Sequence, residues 1–247
     1  MTLWKAWFDV RRRFYLCVVL ITLLVAPHVM TAAVRAALGP TSQAAVDTRL
    51  VPEGQEPTSA LHRAVEDWIA GRAYLTFAVL ATVLSVGGIT AQTTASSNLM
   101  TLSLPEHRRR WITAHAGLAT LLVTLLCLWE VAIIAVAGWA AGVDVPVSRL
   151  AVAVLLTAAS GSIWIWPSIL LTSVTRDSIR AALIVVSVIV ALSSIVAPTG
   201  IAFLDLQRIA GVSNWRSGLP WQPIALAFSM TAAAAWAALR RFDRMEY

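Results

Sequence analysis

Lysine is almost missing from this chain: Lys5 stands alone beside eighteen arginines. A Walker A loop needs a lysine on the β/γ-phosphates, at the mouth of a helix that follows a Gly-rich turn. Lys5 has no such turn before it. The chain is therefore expected to hold no P-loop ATPase of its own. Cysteine is scarce as well. Cys17 and Cys127 sit inside apolar runs and make neither a CxxC nor a metal-ligand spacing, so both read as reduced core thiols. No HExxH, no paired acidic motif and no Asp-rich metal run occurs. An intramembrane serine protease would pair a serine with a histidine on another span. Ser160 and Ser162 are available, but no histidine follows His115, so the order of such helical dyads is absent. Charge is thin: 13% of the 247 residues, against about 25% in ordinary soluble domains.

What the chain has instead is apolar surface, 58% of its residues, and a mean hydropathy of +0.74. A soluble globule of this size cannot hide that much, so lipid is part of its solvent. A hydrocarbon core of ~30 Å takes ~20 apolar residues in a helix. Six stretches qualify: Phe14–Leu38, Ala73–Gln92, Thr113–Ala137, Val147–Leu171, Ala181–Ala197 and Ile224–Leu239. The expectation is an all-α polytopic membrane protein, one domain over residues 1–247, with no internal repeat. Arg11–Arg13 before an apolar run is also how a signal peptide begins. Here the run continues past Pro27 to Leu38, too long for an h-region.

Orientation follows from the cations. With the N-terminus in the cytoplasm, the inner pieces carry twelve of the nineteen Lys and Arg against five acids, and the outer pieces seven against seven acids. That is a positive-inside pattern with both termini cytoplasmic. It also accounts for the basic balance without nucleic acid, since no basic face is interleaved with base-stacking aromatics. Trp68, Trp111, Trp139, Trp215, Trp221 and Trp236 fall at or near the span ends, where an indole suits the interface.

The connections are informative. In residues 1–13, Leu3, Trp4, Trp7 and Phe8 recur at helical spacing, with Lys5, Asp9 and Arg12 on other faces, which predicts an amphipathic interfacial helix. The outer loop 39–71 begins with turn chemistry, and a helix is expected from Thr58 or Ser59 through Leu61, Val65, Trp68, Ile69 and Arg72. In the loop 93–112, a short cytoplasmic helix ending before Pro105 would place Leu99, Met100 and Leu102 to one side, ahead of the basic run Arg108–Arg110. A helix tied to two spans is a lever; the bland alternative is a solvated loop with anchoring arginines. In 198–222, Pro198-Thr199-Gly200 is expected to break the fifth span. A short helix with Asp205 and Arg208 three apart follows, lying at or re-entering the membrane.

Three features lie inside the spans. Glu130 is the only acid there. A buried charge is costly, so its carboxyl has to be protonated, paired or in a wet cavity, and it serves either a pathway or interhelical hydrogen bonding. His28 and His115 have no second metal ligand nearby and read as packing residues. Ala158-Ala159-Ser160-Gly161-Ser162 is a small-residue patch that lets helices approach. Trp164, Trp166 and Pro167 come next and read as packing plus a kink, or as an aromatic wall for an amphipathic substrate.

Six spans after an amphipathic helix, with Ser103-Leu104-Pro105-Glu106-His107-Arg108 between spans two and three, form a known layout. The chain resembles the permease subunit of ABC exporters of the type-two permease family, whose second-to-third loop commonly reads Ser-Leu-Pro, two residues, Arg. The ending Leu239-Arg240-Arg241-Phe242-Asp243-Arg244 is similar to the family's exit from its last helix. Gln92-Thr93-Thr94 and Ser96-Ser97-Asn98 stand where the family often has Glu and Gly-Thr. The resemblance implies a separate ATP-binding subunit carrying ATP and Mg, with segment 93–110 docked in its groove and no cofactor in this chain. It also implies a second permease chain, identical or related, lipid as a further partner, and a bacterial cell membrane location. The cargo would be a drug, antibiotic, lipid or glycan, with Glu130, Trp164 and Trp166 as candidate pathway residues. The alternative is a non-transporting membrane protein, an immunity or scaffold protein that binds a partner in the bilayer.

Overall fold

The computed structural model describes residues 2–37, 65, 68–93, 105–142, 147–175, 177–199 and 221–244, and among them the chain is helical with no strand. Helix α1 is Thr2–Ala37, and a π-helical turn, Trp68–Ala73, leads into α2, Tyr74–Thr93. Then come α3, Pro105–Ala140, α4, Val147–Ser162, and α5, Ile165–Thr175. Helices α6, Ser178–Thr199, and α7, Trp221–Asp243, complete the set. Among the described residues, four stretches are long and apolar enough to cross a membrane: Val10–Val34, Arg109–Ala140, Leu150–Thr175 and Ser178–Ile195; Tyr74–Val86 is a shorter apolar helix.

Two helix starts differ from expectation. The interfacial helix foreseen over residues 1–13 is not a separate element, because α1 runs through Arg13 without a break. No glycine or proline interrupts this region, Val10 is buried, and the Trp7 and Phe14 rings meet at 5.9 Å across the expected joint. Arg13 reaches the Val83 carbonyl of α2 at 3.4 Å. Similarly, α3 starts at Pro105, eight residues before the expected Thr113. Proline suits the first helical position, where its missing N–H would have no partner anyway.

Helix α2 is the hub, packed against α1, α3, α4, α5 and α6. It is apolar all round, which is the composition of a helix enclosed by others. Phe77, Leu80, Ala81 and Leu84 are fully enclosed, and its Thr82 hydroxyl turns back on the Ala78 carbonyl at 2.9 Å. Against α3, α1 buries Cys17, Ile21, Val25 and Val29 at four-residue steps, while Leu16, Val19, Leu20 and Leu23 stay exposed. Exposed leucines, valines and isoleucines likewise cover one side of α3 and α6. Such a face is stable in lipid and would be an aggregation hazard in water.

The expected fourth span is two helices, α4 and α5, broken at Ile163 and Trp164. Pro167 is the cause: with no N–H it leaves the Ile163 carbonyl without an i+4 donor. The chain turns there, with Trp164 N–H on the Gly161 carbonyl at 3.2 Å and Ser168 N–H on the Trp164 carbonyl at 3.1 Å. Asp177 then caps α6, its Oδ1 accepting from the N–H groups of Ile179 at 2.9 Å and Arg180 at 3.3 Å. Helix α6 passes Pro198 and ends at Thr199, two residues beyond the expected stop. At the far end of the bundle, Arg109 at the start of α3 forms a forked ion pair with Asp243 at the end of α7, with Nε at 2.8 and 3.1 Å from its two oxygens.

Candidate functional site

Glu130 lies on α3 about 15 Å along the axis from Ala140, well inside the apolar stretch. Its side chain is fully buried, and its Oε1 accepts a hydrogen bond from the Trp68 indole N–H. Oε2 has no hydrogen-bond partner, and no ion pair to Glu130 occurs among the described residues. The Trp68 ring in turn lies 6.1 Å from the half-buried His28 ring of α1, centroid to centroid, tilted by 42°. One element from each side therefore contributes: α1 gives His28, the π-helical turn gives Trp68, and α3 gives Glu130. One residue earlier on α3, Trp129 donates to the Thr22 hydroxyl of α1 at 2.9 Å, a second tie across the same pair of helices.

Trp68 and Trp111 were expected at the interface with the other tryptophans, yet both are buried. Trp68 finds its N–H partner in Glu130, and Trp111 stacks on His115 at 5.6 Å and 15°. Trp139, Trp221 and Trp236 are the exposed ones, up to 84% for Trp139, with the Arg240 guanidinium 5.0 Å over Trp236. Trp215 falls outside the described residues. His115 is a packing residue as expected, its Nε2 bonded to the Ser85 carbonyl of α2 at 3.0 Å.

Trp164 and Trp166 are two residues apart but do not form one wall. Trp164, at the helix break, is buried and donates to the Tyr74 hydroxyl at 3.0 Å, within a cluster with Ala78, Val185, Ile189 and Ala227. Trp166 packs against the larger core, drawn from α1–α5 and α7. Neither donates a hydrogen bond to Glu130, whose indole partner is Trp68. The small-residue patch does what was foreseen. A Cβ at Gly161 would sit 2.9 Å from the Phe77 carbonyl carbon, so α4 and α2 touch backbone to backbone. Ser160 and Ser162 turn their hydroxyls onto their own helix, to the Thr157 and Ala158 carbonyls at 2.7 and 2.8 Å.

Comparison of the chain with protein-family models, curated proteins and solved structures returned no match.

Of the expected partner-coupling residues, Leu99, Met100, Leu102, Ser103 and Leu104 lie outside the described residues, and Pro105, Glu106, His107 and Arg108 enter as the backbone of the first turn of α3. No group of three or more His, Cys, Asp or Glu that could hold a metal occurs among the described residues. Sequence reasoning had missed Trp68 and Tyr74 as partners of the two candidate side chains. They are separated from Glu130 and Trp164 by 62 and 90 residues, so no local spacing announces either pair.

Proposed function

We propose that the chain is the membrane-spanning permease subunit of an ATP-driven exporter of the type-two ABC permease kind, powered by a separate ATP-binding subunit. The observation that carries this reading is the hairpin of α2 and α3. Its ends, Thr93 and Pro105, flank the segment that leads into Ser103-Leu104-Pro105-Glu106-His107-Arg108. The ends of α2 and α3 belong to the same side of the bundle as Arg13 and the Arg109–Asp243 pair: Arg13 meets α2 at Val83 and His115 meets it at Ser85. On this reading that side is cytoplasmic, both termini lie there, and α2 runs on beyond Val86 into the cytoplasm of a bacterial cell. Its membrane part is then Trp68–Val86, about 27 Å at ~1.5 Å per residue, close to the span of a hydrocarbon core. With α7 as the last crossing, the spans number six. A second permease chain, identical or related, completes the pathway, and ATP and Mg stay with the partner.

Co-expression tests this. The purified chain alone should hydrolyse no ATP, and an ABC ATP-binding subunit should co-purify and show transport-linked turnover. Leu99 and Leu102, changed together to Asp, remove two side chains worth ~1.5–3 kcal/mol each if buried in the partner's groove. The variant should still insert and should lose co-purification. Unchanged recruitment and transport would refute the coupling role of 93–110, and robust ATP turnover by the contaminant-free single chain would refute the division of labour.

A further inference from the structure

The environment of Glu130 is short of a positive charge. A carboxyl at bilayer depth persists when something compensates it, and intramembrane acids commonly mark a substrate or ion route. Here the compensation is partial. Trp68 holds Oε1, Oε2 is left without a partner at zero exposure, and no described Arg or Lys pairs with it. One helical turn to either side on α3, Cys127 and Ile134 are buried in the apolar core, which also takes in Val25 and Val29 of α1. Such a site does not suit a bare metal ion, since Mg or Ca needs six or more oxygens and no metal-holding group is present among the described residues. It does suit an organic cation. A carboxylate meets the charge, and an indole face attracts a cationic centre through its quadrupole while covering apolar substituents. His28, half-buried beside the Trp68 ring, is the member of the cluster in touch with the surface, which makes the α1 side the point of entry.

We propose that Glu130, Trp68 and His28 form a binding site for a lipophilic organic cation, with Oε2 of Glu130 as the charge partner and the Trp68 ring as the apolar and cation–π platform. This rests on the transporter reading for the ligand's role as cargo, and it narrows that cargo to molecules with a positively charged centre shielded by apolar groups.

The test uses the purified full-length chain in nanodiscs, radiolabelled tetraphenylphosphonium as the probe and neutral triphenylphosphine oxide as the comparator. The parent should bind the cation at least tenfold more tightly than the neutral molecule. Glu130→Gln keeps an oxygen for the Trp68 N–H, so it preserves the internal hydrogen bond while removing the charge. It should lose that tenfold preference. The parent's discrimination is itself decisive, so the test does not depend on the variant folding. Equal binding of both probes by the parent, no binding of the cation, or a Glu130→Gln chain that binds the cation within twofold of the parent would each overturn the site. A chain that binds the cation through Glu130 yet recruits no ATP-binding subunit supports the site and removes the transporter reading. A chain that recruits the subunit and binds no cation removes the site alone.

Discussion

Gly161→Ala tests the packing that holds the bundle's centre. The added Cβ would lie 2.9 Å from both the carbonyl carbon and the Cβ of Phe77, and 3.1 Å from the Phe77 oxygen. Ordinary carbon–carbon contacts sit at about 3.5–4.0 Å, so α4 and α2 must part by roughly 0.5–1 Å. Two of the three atoms met are backbone, and α2 is hemmed in by five other helices, so no side chain can swing aside to absorb the shift. Overpacking of this kind costs ~1–3 kcal/mol. The alanine recovers up to ~1 kcal/mol of helix propensity. With two backbone atoms in the way the upper part of that cost applies, ~2–3 kcal/mol, so a net loss of ~1–3 kcal/mol follows, and at ~2–4 °C per kcal/mol for a chain of this size the midpoint should fall by ~2–12 °C. The buried thiols of Cys17 and Cys127 supply the assay, since a thiol-reactive fluorophore reports their exposure on heating. Gly117→Ala is the matched control: Gly117 is also helical, but nothing lies within 4 Å of its Cβ position. It should melt at or slightly above the parent. If Gly161→Ala also melts at or above the parent, α4 and α2 do not meet backbone to backbone at this level, and the role of the small-residue patch is refuted.

Two further outcomes are expected. Trp68→Phe removes the N–H that satisfies Glu130 and should cost ~1–3 kcal/mol in the same assay, whereas Trp129→Phe, which loses a bond at an exposed position, should cost about 0.6 kcal/mol; equal effects would deny Glu130 its dependence on Trp68. In a Cys17→Ser/Cys127→Ser background, Gln55→Cys should react with an impermeant maleimide added outside the cell, and labelling only from the cytoplasmic side would refute the six-span arrangement.

How much of this was legible in the sequence depends on the range over which each signal acts. Continuous apolar runs located the four described stretches long enough to cross a membrane and the shorter apolar helix Tyr74–Val86, because burial in lipid acts on each stretch independently. Pro167 announced the break between α4 and α5, and Gly161 within a run of small residues announced the close approach, since both are properties of single backbone positions. Pro105 shows where a local signal is ambiguous. Its ring restricts the residue before it and equally suits the first position of a new helix; α3 does start there, and the short helix expected before it lies outside the described residues. Trp68 shows where local reasoning fails. An indole near a span end belongs at the interface unless some distant group needs its N–H, and Glu130 is 62 residues away.

Of the three candidate pathway residues Glu130, Trp164 and Trp166, Glu130 and Trp164 have different hydrogen-bond partners, yet both are tied to the same short stretch. Trp68 binds Glu130 of α3, and six residues later Tyr74 binds Trp164 at the break between α4 and α5. The π-helical turn fills the interval between them. A π turn is wider than an α turn, so it sets a different angle between its two ends than six α-helical residues would. Wide turns of this kind are costly to form and persist where both ends are held, as they are here. The start of α2 is thus fixed at once to an unbroken helix and to a broken one.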